Sequence, residues 1–482
     1  MLEGFTRKFK PLEVLTEEQV SAIHVGALDV LETTGLRVEH DRSLALLADH
    51  GCKVDLRQKR VRIPGPLVED CMRKCPSTFT IRARDPKYDL RIGGNTLYFS
   101  QNVGMRYVDL DTWETRPGTL QEHADAVKVL DALDTVHMLC AYEFYMDMEN
   151  VSPYMMPIEG LASGIRNSVK AQCMGYPHDS EVFAIKMAKA VGMELRGAIN
   201  TAPPLTIYED CGNAAFRFVE AGFPLFVGGA PLFGGTGPAT IAGSVVINLA
   251  ETMALLVLVQ LIKSGTGVFT GGLPLPMDMR SGHAAFGAVS SALHQVMWHQ
   301  IWRRYQIPSC SMHTGYSGSK KIDFQAGYER AMNALVSALA GDNICFFHGA
   351  IHGELTYHPV MSILDDDVAG WIGRFIEGVD VTPETLAVDL IEQVGPIPGQ
   401  YLNTEHTRKW WRREQFIPKT ADREPYSEWI RKGKKDAIAL AKKRMEEILS
   451  THKSKPVTTE QDKAIGEVLE EARSYYRQKG LI

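Results

Sequence analysis

The chain has 482 residues, of which 45% are hydrophobic and 23% charged, and its formal net charge is −6 at pH 7. This composition is typical of an ordinary globular protein with enough apolar material for a large core. The negative charge argues against a nucleic-acid-binding protein, which needs a basic excess or a basic stripe facing the phosphates.

Residues 1–120 are predicted to form an N-terminal region of helices followed by β-hairpins. A Thr16 cap and a terminal Gly35 bound the first helix, and Gly51 ends the second. The alternating pattern from Thr78 to Arg116 predicts antiparallel hairpins. No apolar stretch of signal-peptide length opens the chain and its eight cysteines are scattered, so we expect a cytoplasmic protein.

Residues 121–380 alternate between apolar strands and helices. This rhythm predicts either a (β/α)8 barrel or an open doubly wound sheet. We favour the barrel, because no G-x-G-x-x-G motif stands where an open dinucleotide-binding sheet would need it. An eighth strand is predicted near Leu97–Ser100 or after Glu354. The seven clear strands are VHMLCAYEF, KAQCMGY, LRGAINT, PLFVGGAP, GVFTGGL, PSCSMHTG and NICFFHGA.

Two further segments bear on membranes and partners. The apolar run from Ala242 to Ile262 contains Asn248, Glu251 and Gln260, so it is predicted to be a buried helix rather than a membrane span, which needs about 20 apolar residues with few charges. Residues 381–482 are predicted to form a C-terminal helical extension with a basic tail. Such a tail is more often a solvated face than a docking surface.

The ends of the strands supply the candidate site, because a barrel places its reactive groups there. Aromatic, histidine and amide side chains dominate these positions. Ring faces attract a quaternary ammonium ion by about 0.5–2 kcal/mol each. The candidate substrate-binding residues are therefore Tyr98, Tyr142, Phe144, Asn200, Gly229, His313, Phe347 and His348.

Plainer interpretations compete with this one. Aromatic residues at strand ends also fill the top layer of a barrel, and a lone histidine such as His313 is more often a hydrogen-bonded structural residue. His348 and His352 are four residues apart, a spacing that suits a zinc site only on a helix. Gly349 and Gly353 interrupt this segment and argue against a helix there. We therefore expect no tightly bound metal.

Four stretches, in the same order, resemble the trimethylamine:corrinoid methyltransferase family. They are LTEEQVSAIHVGALDVLETTGLRV, LLADHGCKVD with VRIPGPLVEDCMRKCPSTFTIRARDP, SGSKKIDFQAGYERAMNALVSALAGDNICFFHG, and DREPYSEWIRKG. The resemblance implies a (β/α)8 barrel that takes a methyl group from a methylamine and gives it to Co(I) of a corrinoid on a small partner protein. Founding members carry pyrrolysine in the region corresponding to SGSKKIDFQAGYE, where this chain has only standard residues. It is therefore similar to the non-pyrrolysine branch, whose known substrates are quaternary amines.

The resemblance implies methyl transfer from a quaternary amine, with glycine betaine as the first candidate, to a corrinoid (cobalamin-type) cofactor on a cognate corrinoid protein. Dimethylglycine would be released as a neutral tertiary amine, so no acid is needed to protonate it. The betaine carboxylate needs hydrogen-bond donors, which His348, Asn200 or the amides of Gly228 and Gly229 could supply.

Other functions stay open at this point. The same reaction on carnitine, γ-butyrobetaine or proline betaine differs only in pocket size. A non-catalytic betaine-binding protein would bind such cations without methyl transfer, and a zinc-dependent methyltransferase would act on an alcohol or thiol. A homo-oligomer is also left open.

Overall fold

Eight parallel strands form a barrel in the computed structural model, which describes residues 4–482. Each strand is followed by a helix, so the predicted (β/α)8 barrel is confirmed. In space the strands follow the order β6, β5, β4, β3, β2, β1, β8, β7. They are β1 (Thr96–Gln101), β2 (Val136–Leu139), β3 (Ala171–Met174), β4 (Leu195–Asn200), β5 (Leu225–Gly229), β6 (Val268–Gly272), β7 (Cys310–Ser311) and β8 (Ile344–His348).

A short parallel bridge between Thr270 of β6 and Ser309, just before β7, closes the barrel. The backbone N–H of Thr270 donates to the carbonyl of Pro308 at 2.9 Å. The strand that the sequence left unplaced is β1, at the first of its two candidate positions. Strand β1 lies inside the predicted N-terminal region, so that region contributes one strand to the barrel. The division into residues 1–120, 121–380 and 381–482 stays a prediction.

Eight helices surround the barrel. The fifth is long and apolar enough to cross a membrane, but 78% of its most apolar window is buried inside the protein, under the N-terminal helices Glu17–Asp29 and Gly65–Arg73. The barrel helices are α1 (Leu120–Ala132), α2 (Met156–Asn167), α3 (Ser180–Val191), α4 (Glu209–Ala221), α5 (Ile241–Ile262), α6 (Val289–Arg304), α7 (Phe324–Ala340) and α8 (Pro359–Ile376).

The chain before the barrel contains three α-helices, Glu17–Asp29, Asp41–Asp49 and Gly65–Arg73. Thr16 caps the first through a capping box with Gln19, as its sequence predicts. The short strands outside the barrel are Phe5–Thr6, Leu36–Val38, Lys53–Asp55, Arg60–Arg62, Thr78–Ile81, Leu90–Gly93, Arg106–Val108, Thr115–Arg116, Thr206–Ile207, Leu232–Phe233, Leu275–Asp278, His283–Ala284, Ala350–Ile351 and Thr356–Tyr357.

The chain after the barrel is helical and partly returns to it. Its helix Ala437–Thr451 packs on α1 and α8, and its last helix, Thr459–Gln478, packs on α2 and α3. The other helices of this part are Pro383–Leu386, Val388–Val394, Glu405–Glu414 and Tyr426–Arg431.

A buried ion pair joins the two helices that follow β7 and β8. The Nη2 atom of Arg330 on α7 lies 2.5 Å from Oδ2 of Asp365 on α8, and both side chains are at most 2% exposed. The same guanidinium donates to the backbone carbonyls of Gly315, Phe347 and Ala350. Arg330 therefore fixes the loops that leave both strands.

The three consecutive aspartates at 365–367 lie in the middle of α8. All three are buried and accept hydrogen bonds from other segments. Asp366 accepts from Thr135, and Asp367 accepts from Thr420. The triplet thus ties α8 to its surroundings.

We predict that Arg330→Met lowers the free energy of unfolding by about 3–5 kcal/mol, because it leaves the Asp365 carboxylate buried without its partner. Arg413→Met is the matched control, since the Arg413–Asp380 pair at 2.7 Å is largely exposed and should contribute less than about 1 kcal/mol. Urea denaturation of both variants checks this. Equal, small losses would show that the buried pair does not stabilise the barrel.

Candidate functional site

A cavity of about 410 Å3 opens at the C-terminal end of the barrel strands. Residues in or just after all eight strands line it, from Val103 after β1 to Glu354 after β8. Its volume lies in the range of about 300–1,000 Å3 that is usual for small-molecule sites. The cavity is therefore the candidate substrate site.

Aromatic side chains form much of the wall. Tyr142, Tyr176 and Tyr316 follow β2, β3 and β7, and Phe226 points inward from β5. The hydroxyl of Tyr176 donates to Oδ1 of Asn200 at 3.1 Å. Rings on several sides of one cavity provide the faces to which a quaternary ammonium ion binds.

A single arginine lies at the bottom of the cavity. Arg196 points inward from β4 and is 1% exposed. Its guanidinium carbon lies 5.4 Å from the ring centroid of Phe346, 5.6 Å from that of Phe226 and 5.9 Å from that of Phe269. A charged side chain is unusual here, because branched aliphatic residues normally fill a barrel interior.

Arg196 and Glu143 each have a buried polar atom without a partner. Within residues 4–482, neither Nε of Arg196 nor Oε2 of Glu143 has a hydrogen-bond partner, so the two atoms do not bind each other. The other carboxylate oxygen of Glu143 accepts a hydrogen bond from the Tyr142 hydroxyl. Because unpartnered buried polar atoms are costly, both atoms are available to a ligand in the cavity.

Burial controls the two carboxyl groups of the cavity. Desolvation raises the pKa of Glu143, and the charge of Arg196 and the hydrogen bond from Tyr142 partly oppose this. Desolvation also raises the pKa of Glu354. Both groups hold a proton more readily than an exposed glutamate, and a bound cation would favour their charged form.

Two cysteines meet beneath this wall. Cys140 directly follows β2, and Cys173 lies on the neighbouring strand β3. Their Cα atoms are 5.1 Å apart, and a disulfide joins them. The scattered cysteines of the sequence suggested separate thiols. The structure differs because parallel pairing of β2 and β3 brings together residues that are 33 positions apart.

Three of the predicted site residues line the cavity: Tyr142, Asn200 and Gly229. The glycines of the GGAPLFGG run allow close backbone approach there. A Cβ atom on Gly228 would lie 2.2 Å from the carbonyl oxygen of Gly271 on the adjacent strand.

Phe347 and His348 lie on the outer face of β8. Strand alternation alone would turn one of them inward, but the register between β8 and β1 shifts between Phe346 and His348. Both rings consequently contact Phe99, at 6.0 and 6.2 Å between centroids. The Nε2 atom of His348 lies 2.9 Å from the hydroxyl of Thr135, behind the strand. The cavity therefore does not include them.

Tyr98, Phe144 and His313 also lie outside the cavity lining. The Tyr98 hydroxyl accepts a hydrogen bond from the backbone N–H of Arg91. The Phe144 ring stacks on His123 at 4.2 Å. His313 is buried with its Nε2 atom 2.7 Å from the amide nitrogen of Gln295, and burial lowers its pKa to about 4.

Sequence reasoning missed Arg196, Tyr316 and Glu354. The sequence contains a signal for Arg196, because it is a charged residue within the otherwise uncharged strand LRGAIN. A charged residue in a barrel strand needs a specific binding partner. Tyr316 and Glu354 are several residues beyond β7 and β8, and only the path of each loop brings them back over the barrel.

Nearly the whole chain matches a known protein family. The model of the trimethylamine methyltransferase (MTTB) family matches residues 1–474. The chain belongs to this family. Among curated MTTB relatives, the glycine betaine methyltransferase of Desulfitobacterium hafniense (strain Y51) is 32% identical over 453 residues, which are 91% of this chain and 92% of that protein.

Trimethylamine methyltransferases of the MTTB family are also similar. That of D. hafniense (strain DSM 10664 / DCB-2) is 28% identical over 98% of this chain and 96% of its own length, and that of Methanosarcina thermophila is 26% identical over 92% and 94%. The crystal structure of the Methanosarcina barkeri monomethylamine methyltransferase aligns over 98% of this chain and 96% of that chain, with 11% identity and a TM-score of 0.48.

The segment SGSKKID runs from the cavity residue Tyr316 to the start of α7. Glu329 accepts hydrogen bonds from the hydroxyl of Ser317 and the backbone N–H of Gly318, at 2.7 and 2.8 Å. Asp323 caps α7 by accepting from the N–H of Ala326. The segment in which this MTTB chain has only standard residues is thus folded back against α7 at the edge of the cavity.

We predict that Tyr142→Phe raises the pKa of Glu143 further, because the variant loses the hydroxyl that donates to the charged carboxylate. Infrared difference spectra across a pH titration would follow the band of the protonated carboxyl group. Glu143→Gln identifies that band by abolishing it. An unchanged titration would mean that the hydroxyl does not stabilise the carboxylate.

Proposed function

We propose that this protein transfers a methyl group from a zwitterionic quaternary amine, with glycine betaine as the first candidate, to Co(I) of a corrinoid carried by a partner protein. The observation that carries the proposal is one cavity with aromatic walls, two carboxyl groups and a single buried arginine. Such a cavity offers complementary groups to both ends of a betaine.

The carboxylate of the substrate is assigned to Arg196. A buried guanidinium with a free Nε–H binds a carboxylate strongly, because the charge-assisted hydrogen bond forms away from water. Trimethylamine has no anionic group that could bind to this arginine. The similarity to a protein named glycine betaine methyltransferase supports a betaine as the substrate.

The position of Arg196 also sets the direction of the substrate. With its carboxylate at the bottom of the cavity, the trimethylammonium group would lie among Tyr142, Tyr176 and Tyr316, toward the opening. A corrinoid presented by a partner at the opening could then reach a methyl group. Holding the two reactants in line supplies much of the rate enhancement that such a transfer needs.

The cavity has little acid–base work to do in this reaction. The corrinoid supplies the nucleophile, and the amine leaves as a neutral tertiary amine. The positive charge of the substrate disappears during transfer, so a cavity that replaces its hydration with ring faces favours the transition state. Absence of an acid beside the leaving nitrogen would therefore not slow the reaction.

The direct test mixes the purified protein with glycine betaine and cob(I)alamin. We expect methylcobalamin and dimethylglycine in equal amounts, and neither with trimethylamine. Carnitine, γ-butyrobetaine and proline betaine belong in the same panel, since the cavity can hold a longer chain. Binding of betaines without methylcobalamin from any of them would indicate a non-catalytic binding protein and would refute the proposal.

We predict that Arg196→Met weakens betaine binding by about 10- to 100-fold, the loss expected for one charge-assisted hydrogen bond. Choline has the same trimethylammonium group without a carboxylate, so its affinity should not fall. Arg217→Met is the matched control, because Arg217 lies on α4 and pairs with Asp179 at 2.8 Å outside the cavity lining. Calorimetric titration of the unmodified protein and of both variants with each ligand measures these affinities. Equal losses for betaine and choline would argue against Arg196 as the carboxylate site.

A further inference from the structure

Two cysteines and a glutamate converge under the wall of the cavity. The Sγ atoms of Cys140 and Cys173 and a carboxylate oxygen of Glu143 all lie within 4.8 Å of one another. Both cysteines are fully buried. Because Cys140 follows β2, Glu143 lies in the next turn and Cys173 lies on β3, the three side chains are held by the strands of the barrel.

This donor set suits zinc. Zn2+ binds thiolate sulfur at about 2.3 Å and carboxylate oxygen at about 2.0–2.2 Å, and catalytic zinc sites combine three protein ligands with one open position. A tetrahedral ion places two sulfurs about 3.8 Å apart. With Cα atoms 5.1 Å apart, rotation of the two cysteine side chains is enough to reach that separation after reduction.

Unpartnered atoms beside the cluster point to a missing ligand. Oε2 of Glu143 and Nε of Arg196 are both buried without a partner among residues 4–482. Nη2 of Arg196 lies 3.4 Å from Sγ of Cys140. A nearby guanidinium favours the thiolate form that binds a metal.

The charges balance when a divalent ion is added. Two thiolates and one carboxylate carry three negative charges, Zn2+ leaves a net charge of −1, and Arg196 neutralises the remainder. Buried charges are tolerated only when they are paired in this way.

We propose that Cys140, Glu143 and Cys173, once their disulfide is reduced, bind one Zn2+ ion per chain with the fourth coordination position facing the cavity. Reduction adds two electrons and two protons to the disulfide, and zinc binding releases the two thiol protons. In the test a phosphine supplies the electrons and is oxidised to its phosphine oxide. This inference departs from the expectation of no tightly bound metal and does not rest on the proposed function.

The test begins with the whole protein. It is reduced with a phosphine, incubated with Zn2+, freed of excess metal and analysed by mass spectrometry of the elements. We expect about one zinc per chain in the reduced protein and much less when the disulfide is kept. Replacing zinc with Co2+ should give the thiolate-to-cobalt charge-transfer absorption of a tetrahedral site. Reduced protein that retains no zinc would overturn the proposal.

Variants locate the site. Cys140→Ser and Cys173→Ser should each abolish the charge-transfer band. Glu143→Gln keeps both cysteines and should lower the zinc content. Cys71→Ser is the matched control, because Cys71 is a buried cysteine in the N-terminal helix Gly65–Arg73. Thermal unfolding establishes that each variant is folded. Zinc retained by both cysteine variants would place the metal elsewhere and refute the assignment.

Zinc content and methyl transfer are separate measurements. Reduced protein that retains no zinc but still demethylates glycine betaine would refute only the metal site. Protein that binds zinc through these residues but methylates no corrinoid would refute only the proposed function.

Discussion

The buried ion pair between Arg330 and Asp365 is the contact on which the upper part of the barrel depends. Loops that cross a barrel mouth carry backbone carbonyls that need donors when they are buried. Arg330 supplies them to Gly315 and Ala350, on the loops that bring Tyr316 and Glu354 to the cavity. The shape of the site is therefore set partly by a charge that lies outside it, on α7.

A second buried cation, Arg196, gives the cavity its chemistry. Its neighbours inside the barrel are phenylalanine rings and a cysteine sulfur, and its Nε has no partner within residues 4–482. Aromatic faces compensate part of the cost of burying this charge, but they do not replace a hydrogen-bond acceptor. The free Nε–H of Arg196 can donate a hydrogen bond to an anionic group that enters the cavity.

Much of the fold could be predicted from the sequence, and less of the site. The positions of Tyr142 and Asn200 in the cavity lining follow from the sequence, because the C-terminal ends of barrel strands meet at one cavity. His348 lies outside the cavity lining because a register shift after Phe346 turns it outward, and such a shift leaves no mark in a pattern of apolar residues. Glu143 stood beside Tyr142 in the sequence, but only burial gives it a raised pKa.

The sequence by itself determined the family, the alternation of strands and helices, and the lack of pyrrolysine in the segment before α7, because these are local properties of the residue order. Tertiary structure decided which side chains share a space. It joined Cys140 to Cys173, placed Arg196 under the aromatic wall, and carried Tyr316 over the cavity. The physical reason is that strand register and loop path are fixed by long-range packing and hydrogen bonds, which a linear pattern does not contain.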